Sequence, residues 1–324
     1  MILAGDLGGT KTLLGLFERG ERRPRHILAR AYPTQEFDGF TAMLDAFARD
    51  LGRPLEVDAA AIGVAGPVVD RRAQLPHVRW DVSATAIGEH LRTKSILLLN
   101  DLEAMAMSVP VLSDRETITL QPGIPKADGN AAVIAAGTGL GEAYLHRVNG
   151  SLLPLPSQGG HADFAPRNER EIGLLHMLVA QFGRAQVEHV LSGPGLVNIH
   201  RFTHAGASCD AVDGRAPSGM PAAISEAALS RGCSRCEDAL AIFVEAYGAE
   251  AGNLGLRGIA TAGVFVGGGI APKILPALQD GRFIAAFCAK APMSELVAAM
   301  PVSVIVKEDA GLLGAAIAAQ DLST

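Results

Sequence analysis

Four places in the chain combine residue types that could do chemistry with a setting that would present them. Asp6-Leu7-Gly8-Gly9-Thr10-Lys11 follows a short apolar run. A carboxylate therefore stands at a strand end, followed by glycines whose missing side chains let backbone amides approach phosphate oxygens. Gly137-Thr138-Gly139 repeats that turn after the apolar run Ala131 to Ala136. Gly267-Gly268-Gly269 leaves the apolar run Thr261 to Val266 toward Pro272, a geometry in which a flat base can lie against backbone. Asn100-Asp101 follows the apolar run Ser95 to Leu99 and precedes a helical pattern, so Asp101 stands at a strand's carboxyl end beside a helix start. Asp6 could face a metal ion directly or through water, and Asp101 could accept a proton. Each has an ordinary alternative: a glycine cluster can be a packing contact, and an acid before a helix can be a cap. Three glycine clusters at strand ends together favour a bound nucleotide.

The elements that must hold these residues can be read from periodicity. Ile2 to Asp6 and Thr12 to Phe17 are apolar runs of strand length, Arg25 to Tyr32 can be a third, and Ala59 to Val64 and Ser95 to Leu99 read as buried strands. Phe40, Met43, Leu44, Phe47 and Leu51 recur at three- and four-residue spacing, which predicts an amphipathic helix over Phe37 to Leu51. Ser83 to Leu91 reads as a helix with Ser83 at its N-cap. The order is three strands, helix, strand, helix, strand. From Ala131 the pattern of strand, Gly/Thr turn and strand begins again, a degenerate internal repeat of the kind that two opposed phosphate-facing hairpins would require. Glu169 to Phe182, Pro221 to Arg231 and Cys236 to Leu256 read as helices, Val302 to Val306 as a strand, and Gly311 to Ala319 as a small-residue closing helix.

Bulk properties narrow the class. With 324 residues, the length favours two lobes, and 48% hydrophobic against 19% charged residues provides for a folded core. The start, Met1-Ile2-Leu3-Ala4-Gly5-Asp6, breaks any export signal before it forms. No uncharged apolar run approaches the roughly 20 residues that span a bilayer. The formal charge of −6 and the scatter of basic residues argue against a nucleic-acid partner. Four cysteines do not make a disulfide framework and suit a reducing compartment, the cytoplasm. Cys233-Ser-Arg-Cys236 has metal or redox spacing, but without a second such pair it reads as ordinary thiols.

Taken in order, Asp6-Leu-Gly-Gly-Thr10, Leu99-Asn-Asp101, Ala136-Gly-Thr-Gly-Leu-Gly141, Gly159-Gly-His-Ala-Asp-Phe-Ala-Pro166, Glu188-His-Val-Leu-Ser-Gly-Pro-Gly195 and Gly263 to Ile270 closely resemble the bacterial glucokinase family, from Ile2 to about Ala315. The resemblance implies an α/β fold of the two-lobed, actin-like and hexokinase-type class: ribonuclease-H-like topology, each lobe a mixed β-sheet flanked by helices, with a cleft that closes on sugar and ATP. It implies a small lobe of residues 1–111 plus 303–324 and a large lobe of 112–302. It further implies transfer of the ATP γ-phosphoryl group to the 6-hydroxyl of glucose, with Asp101 as the base. Asn100, Gln158, His161, Glu188 and Gly137 become sugar-side positions. Asp6, Gly8, Gly9, Thr10, Lys11, Gly137, Thr138, Gly139, Gly267, Gly268 and Gly269 become nucleotide-side positions, Asp6 holding Mg²⁺ through water. A homodimer is implied as well.

Two positions depart from the family. Gln158 stands where a glutamate usually precedes Gly-Gly-His, which keeps a carbonyl acceptor but loses the charge, and charge-assisted bonds are about twice as strong as neutral ones. His77, in Pro76-His77-Val78-Arg79-Trp80, stands where an asparagine is common. These leave open a kinase for another hexose, or a sugar-sensing protein with weakened chemistry. The Cys-rich zinc cluster of the related repressor-and-kinase (ROK) sugar kinases is missing.

Overall fold

Alternation along the first strand decides what must surround it. In Ile2–Leu7, Leu3 and Leu7 project to one face and Ile2 and Ala4 to the other, as successive strand residues must, and all four are fully buried. A strand buried on both faces needs a layer against each. The computed structural model describes residues 1–75, 78 and 80–322, and it supplies both layers. Leu3 and Leu7 join Phe40, Met43, Leu44 and Phe47 of the Phe40–Leu51 helix in one apolar cluster. Ile2 and Ala4 join Leu312, Ala315, Ala316 and Ala319 of the Ala310–Asp321 helix, with Ala104 of the Asp101–Ser108 helix, in another.

The chain divides into two units, Met1–Ser113 with Leu152–Pro156 and Lys307–Thr324, and Asp114–Ser151 with Ser157–Val306. The sheet of the first unit runs Arg25–Pro33, Lys11–Glu18, Ile2–Leu7, Ala59–Val64, Ile96–Asn100. The first three strands are antiparallel, and the last two are added in parallel. Leu7 pairs with Thr12, so Gly8 to Lys11 is the turn. The expected order of strands and helices is present, with two differences. The first helix begins at Phe40 rather than Phe37, because Thr34–Glu36 forms a 3₁₀ turn and Gly39 takes the N-cap. Between Ala59–Val64 and Ala84–Leu91 lies a small sheet of Val68–Val69, Arg72–Gln74 and Asp81–Ser83, whose strands are too short to carry a periodic signal.

The second unit repeats the device. Ala131–Ala136 has the antiparallel Leu140–Val148 on one side and the parallel Gly263–Gly267 on the other, as Ile2–Leu7 has its hairpin partner and Ala59–Val64. Val302–Ile305 then pairs in parallel with Gly263–Gly267, and Thr117–Gln121 in antiparallel with Val302–Ile305. The stretch from 303 that the sequence reading gives to the first lobe thus begins in the second sheet, and the chain rejoins the first unit at Lys307. Helices Glu169–Phe182, Gly193–His204, Met220–Leu229 and Ser234–Gly258 complete the unit around the buried Phe243, Tyr247, Phe283 and Phe287. Gly193-Pro194-Gly195 reads as a turn in sequence, yet it opens a helix. Ser192 Oγ accepts the Gly195 amide at 2.9 Å, and proline is well suited to a first turn where no donor is needed. Among the described residues no helix is long and apolar enough to cross a membrane.

Small residues let the closing helix come very near its neighbours. A Cβ added at Gly314 would lie 1.6 Å from the Ala104 carbonyl oxygen, which is backbone and cannot swing aside. Helix propensity alone would make Gly314→Ala stabilising by about 1 kcal/mol. The contact reverses the sign: we expect a loss at or above the roughly 1–3 kcal/mol typical of overpacking, read from urea unfolding. Gly219→Ala, where nothing stands within 4 Å, should stay within about 0.5 kcal/mol of the parent.

Candidate functional site

Asp6 continues the Ile2/Ala4 side of its strand, so its carboxylate projects toward the Ala310–Asp321 and Asp101–Ser108 helices. Gly311 makes room for it, since a Cβ there would sit 3.0 Å from Asp6 Oδ2. Burial first, then the negative charges of Asp101 and Asp309, push the Asp6 carboxyl up from 3.8 to about 6, while Lys11 pulls it back. Asp309 is the N-cap residue of the closing helix and pairs with Lys307 at 2.6 Å. Crowded oxygen donors of one sign are the donor chemistry that a hard divalent cation such as Mg²⁺ takes.

Asp101 is the first residue of its helix, and the cap is Asn100. Asn100 Oδ1 accepts the Leu102 amide at 3.0 Å, and Glu103 Oε2 accepts the Asn100 amide at 3.0 Å, a reciprocal capping box. Asn100 Nδ2 also donates to the Gly66 carbonyl at 3.1 Å. Both ends of this amide are therefore engaged in positioning its neighbour. Asp101 Oδ1 accepts the Leu102 amide at 2.8 Å. The residue is exposed overall, while protein atoms flanking the carboxyl desolvate it and raise its pKa. The amides of Leu102 and Asp101 and the Asn100 side chain act in the opposite direction.

The Gly8 to Lys11 turn is braced from inside. Gly8 N–H donates to Lys11 O at 3.2 Å, and Thr34 donates from its amide to Thr10 O at 2.9 Å and from its hydroxyl to Gly8 O at 2.7 Å. Having given its one proton to Gly8, the Thr34 hydroxyl must accept from Thr12, 2.8 Å away. Both threonines are fully buried. Among the described residues no protein acceptor takes the amides of Gly9 and Thr10.

In the second unit, three motifs far apart in sequence line one cavity of about 840 Å³: Gly137 and Thr138, then Glu188 with Gly193 and Pro194, then Gly269 with Ile270 and Lys273. Gly137 N–H donates to Gly139 O and Gly193 N–H to Gly137 O, both at 2.8 Å. Glu188 Oε2 accepts the Leu140 amide at 2.8 Å. The same oxygen lies 2.6 Å from where a Gly139 Cβ would be, so that glycine is required by the approach. Gly268 has φ +83°, and a Cβ on it would strike the Ala136 carbonyl at 2.4 Å. Behind both turns stands the buried Tyr247, whose hydroxyl accepts from Ala136 N at 3.1 Å and lies 3.3 Å from Gly267 O. One hydroxyl thus ties the root of one glycine turn to the root of the other.

The remaining sequence-read positions gather around Gly159–His161, a 3₁₀ turn. His161 Nδ1 lies 2.8 Å from Gln186 Oε1, and Gln158 is exposed. Behind them is a group that sequence reading passes over, because Glu142 stands in a segment that reads only as the strand after the glycine turn, Leu140–Val148. Glu142 is 1% exposed, and among the described residues neither carboxylate oxygen has a partner. Burial, with Glu250 adding to it and Arg257 opposing it, raises its carboxyl from 4.5 to about 7. A Cβ on Gly159 would lie 2.1 Å from Glu142 Oε2. His77 lies outside the described residues. Thr34, Tyr247 and Gly311 are likewise unmarked in sequence. Only the even spacing of Asp6 from Ile2 and Ala4 signals which helix it would meet.

Comparison with known proteins agrees with this geometry. The family model described as Glucokinase matches residues 3–322. A glucokinase of Nostoc sp. is 36% identical over 99% of this chain and 99% of its own length, and one of Yersinia enterocolitica is 33% identical over 97% and 94%. The solved structure of a glucokinase from an Antarctic psychrotroph superimposes with a TM-score of 0.88 at 26% identity, covering 99% of this chain and 98% of that one. The fold is the two-lobed, actin-like one, with mixed sheets flanked by helices.

Two variants test the site. A carboxyl whose folded pKa is raised costs stability above that pKa and nothing below its unfolded value, at about 1.4 kcal/mol per pH unit. Asp6→Asn should therefore be more stable than the parent at pH 8, by at most roughly 3 kcal/mol. The difference should vanish as pH falls from about 6 through 3.8, and melting curves across pH should show Mg²⁺ stabilising the parent and not the variant. Tyr247→Phe leaves the buried Ala136 amide without its acceptor. It should lose about 1–3 kcal/mol in urea and raise KM for the nucleotide more than KM for the acceptor.

Proposed function

The chain belongs to the glucokinase family, and from that premise we propose that it transfers the γ-phosphoryl group of ATP to the 6-hydroxyl of glucose, giving glucose 6-phosphate and ADP. The observation that carries this reading is the setting of Asp101: at the head of a helix, fixed by the Asn100 capping box, with Oδ1 accepting the Leu102 amide. The other carboxylate oxygen is the proton acceptor. Phosphoryl transfer passes through a loose transition state, so the sugar oxygen becomes strongly acidic only as its bond to phosphorus forms. An acid held above the usual carboxylate range then accepts that proton more readily than an ordinary aspartate, and returns it to solvent after product leaves.

The rest of the chain positions and neutralises. The amides of Gly9 and Thr10, with Lys11, and those of the Gly137-Thr138-Gly139 turn are the phosphate-facing groups. The cavity walled by Gly269, Ile270 and Lys273 suits the adenosine. Asp6 would hold Mg²⁺, which supplies charge neutralisation at the phosphate oxygens. Asn100, Gln158, His161 and Glu188 are the proposed sugar ligands, Glu188 through the oxygen that the Leu140 amide does not use. Gln158, exposed and uncharged, supports a second reading in which another hexose is the better acceptor. A cytoplasmic homodimer completes the proposal, with sedimentation as the check on the dimer.

The test is ADP release with Mg-ATP and, separately, glucose, mannose, fructose, galactose and N-acetylglucosamine. Glucose should give the highest kcat/KM, and Asp101→Asn should lower kcat by about 10²–10⁴-fold with little change in sugar affinity. A different preferred hexose would make Gln158 a determinant of specificity. ADP release that ignores every sugar, or survives in Asp101→Asn, would overturn the assignment.

A further inference from the structure

Far along the second unit from the glycine turns, the fold assembles a cluster that no part of the kinase chemistry uses. His200 and His204 stand one turn apart at the end of the Gly193–His204 helix, with rings stacked at 3.7 Å. Cys209 follows in the next loop, and Cys236 comes from the first turn of Ser234–Gly258. All four residues are buried, and one donor atom from each lies within 4.8 Å of all the others. Cys233, three residues before Cys236, adds a fifth donor at the edge, its Sγ 3.5 Å from His204 Nε2.

The distances and proton positions fit a ligand set better than a packed core. Cys209 Sγ and Cys236 Sγ are 3.7 Å apart, far beyond the roughly 2.05 Å of a disulfide. They are close to the roughly 3.8 Å that two sulfurs adopt at the corners of a tetrahedron with bonds of about 2.3 Å to zinc. His204 Nδ1 lies 2.9 Å from the His200 carbonyl, which can only accept. That nitrogen therefore carries the proton, and Nε2 is left with a lone pair, the arrangement in which an outer hydrogen bond fixes a metal-binding tautomer. His200 Nε2 is buried with no hydrogen-bond partner among the described residues, an unfavourable state for a polar atom unless something meets it.

We propose that His200, His204, Cys209 and Cys236 bind one zinc ion in a closed, structural S₂N₂ site. Two thiolates balance the charge of the ion, and mixed sulfur and imidazole donors select zinc over the hard cation expected near Asp6. The ion joins the end of the Gly193–His204 helix to the start of Ser234–Gly258 and to the Cys209 loop. The opposite end of the first helix, at Gly193, Pro194 and Val197, walls the nucleotide cavity, so the metal secures that wall from behind. The site is independent of which sugar is phosphorylated.

The test is elemental analysis of the full-length chain, purified under reducing conditions and dialysed against zinc-free buffer after reconstitution with Zn²⁺. We expect one zinc per chain, released in step with mercurial titration of the thiols. Replacement by Co²⁺ should give the intense visible bands of a tetrahedral ion together with a thiolate charge-transfer band. Cys236→Ser should lose both metal and bands, whereas Cys233→Ser should keep a stoichiometry of one. Removal of the ion should speed amide exchange in Gly193–His204 before the rest of the unit. Should the parent protein retain no zinc, bind Co²⁺ without a thiolate band, or prove to carry a Cys209–Cys236 disulfide, the proposal is wrong, whatever the variants do.

Discussion

The negative charges of Asp101 and Asp309 both act on the carboxylate of Asp6 at the carboxyl end of a single buried strand, and the surrounding structure is arranged to bear that. Desolvating one carboxylate is costly, and placing others near it adds repulsion. The fold answers with what can attract negative charge without filling space. Asp101 and Asp309 each stand at the start of a helix, where unpaired amides and the helix dipole favour an anion. Lys11 adds a formal positive charge. Two helix starts can reach one strand end only if the helices themselves run very close, and this is why the faces that meet are built of Ala104, Gly311, Gly314, Ala315 and Ala319. Larger side chains would bury more apolar area and would hold the charges apart. Alanine and glycine give up that stabilisation in return for position.

A second constraint governs the glycine turns. A turn that offers amides to phosphate must not leave its remaining polar groups unsatisfied inside the protein. In each unit a buried hydroxyl resolves this. Thr34 takes up the inward carbonyl of Gly8, and its own amide takes that of Thr10. Tyr247 serves Ala136 and Gly267 together. Among the described residues the amides of Gly9 and Thr10 stay unspent, because the inward groups are already paired. The two devices are chemically similar and unrelated in sequence, as expected when the backbone of the turn is what repeats and its support is constrained only locally.

How much of this could be read in advance follows from the range of each signal. The glycine turns, the hairpin repeat and the Phe40–Leu51 helix are local patterns, and the sequence displays them. The Gly193–His204 helix does not announce itself, because its first turn is Gly-Pro-Gly and its capping comes from Ser192 geometry rather than composition. Thr117–Gln121 alternates threonine with leucine and isoleucine at half-buried positions, too weakly for an apolar run. Tyr247 and Thr34 act on groups 111 and 26 residues away, and nothing in their neighbourhoods marks them. The cysteine pair at 233 and 236 looks like ordinary thiols until tertiary structure brings two histidines and Cys209 beside Cys236. Asn100 shows the reverse: its neighbourhood to Asp101 is plain in sequence, but its use of both amide ends as a cap and tie emerges only from the geometry.

Asp6 and Glu142 show why a buried carboxylate is not by itself a statement about function. Each lies on a strand that borders a glycine turn, and each is pushed well above its ordinary value by burial first. Around Asp6 the compensation is anion-attracting: helix starts, a lysine, and space left by Gly311. There the next influence after burial is a like charge, that of Asp101, joined by Asp309 and opposed by Lys11, a crowding of acids that an added cation would relieve. Around Glu142 the next largest influence is the like charge of Glu250, only partly offset by Arg257, which is itself paired to Glu250 at 2.9 Å. Among the described residues neither oxygen of Glu142 has a hydrogen-bond partner. That field favours giving up the charge beneath Gly159 and the exposed Gln158. The loop carrying Gln158 and His161 is then backed by an acid that burial pushes toward its neutral form and fronted by an amide. Glu142 therefore does not replace from behind the charge that a glutamate at position 158 would carry, and a polar ligand meeting Gln158 would find a hydrogen-bonding amide there rather than a carboxylate.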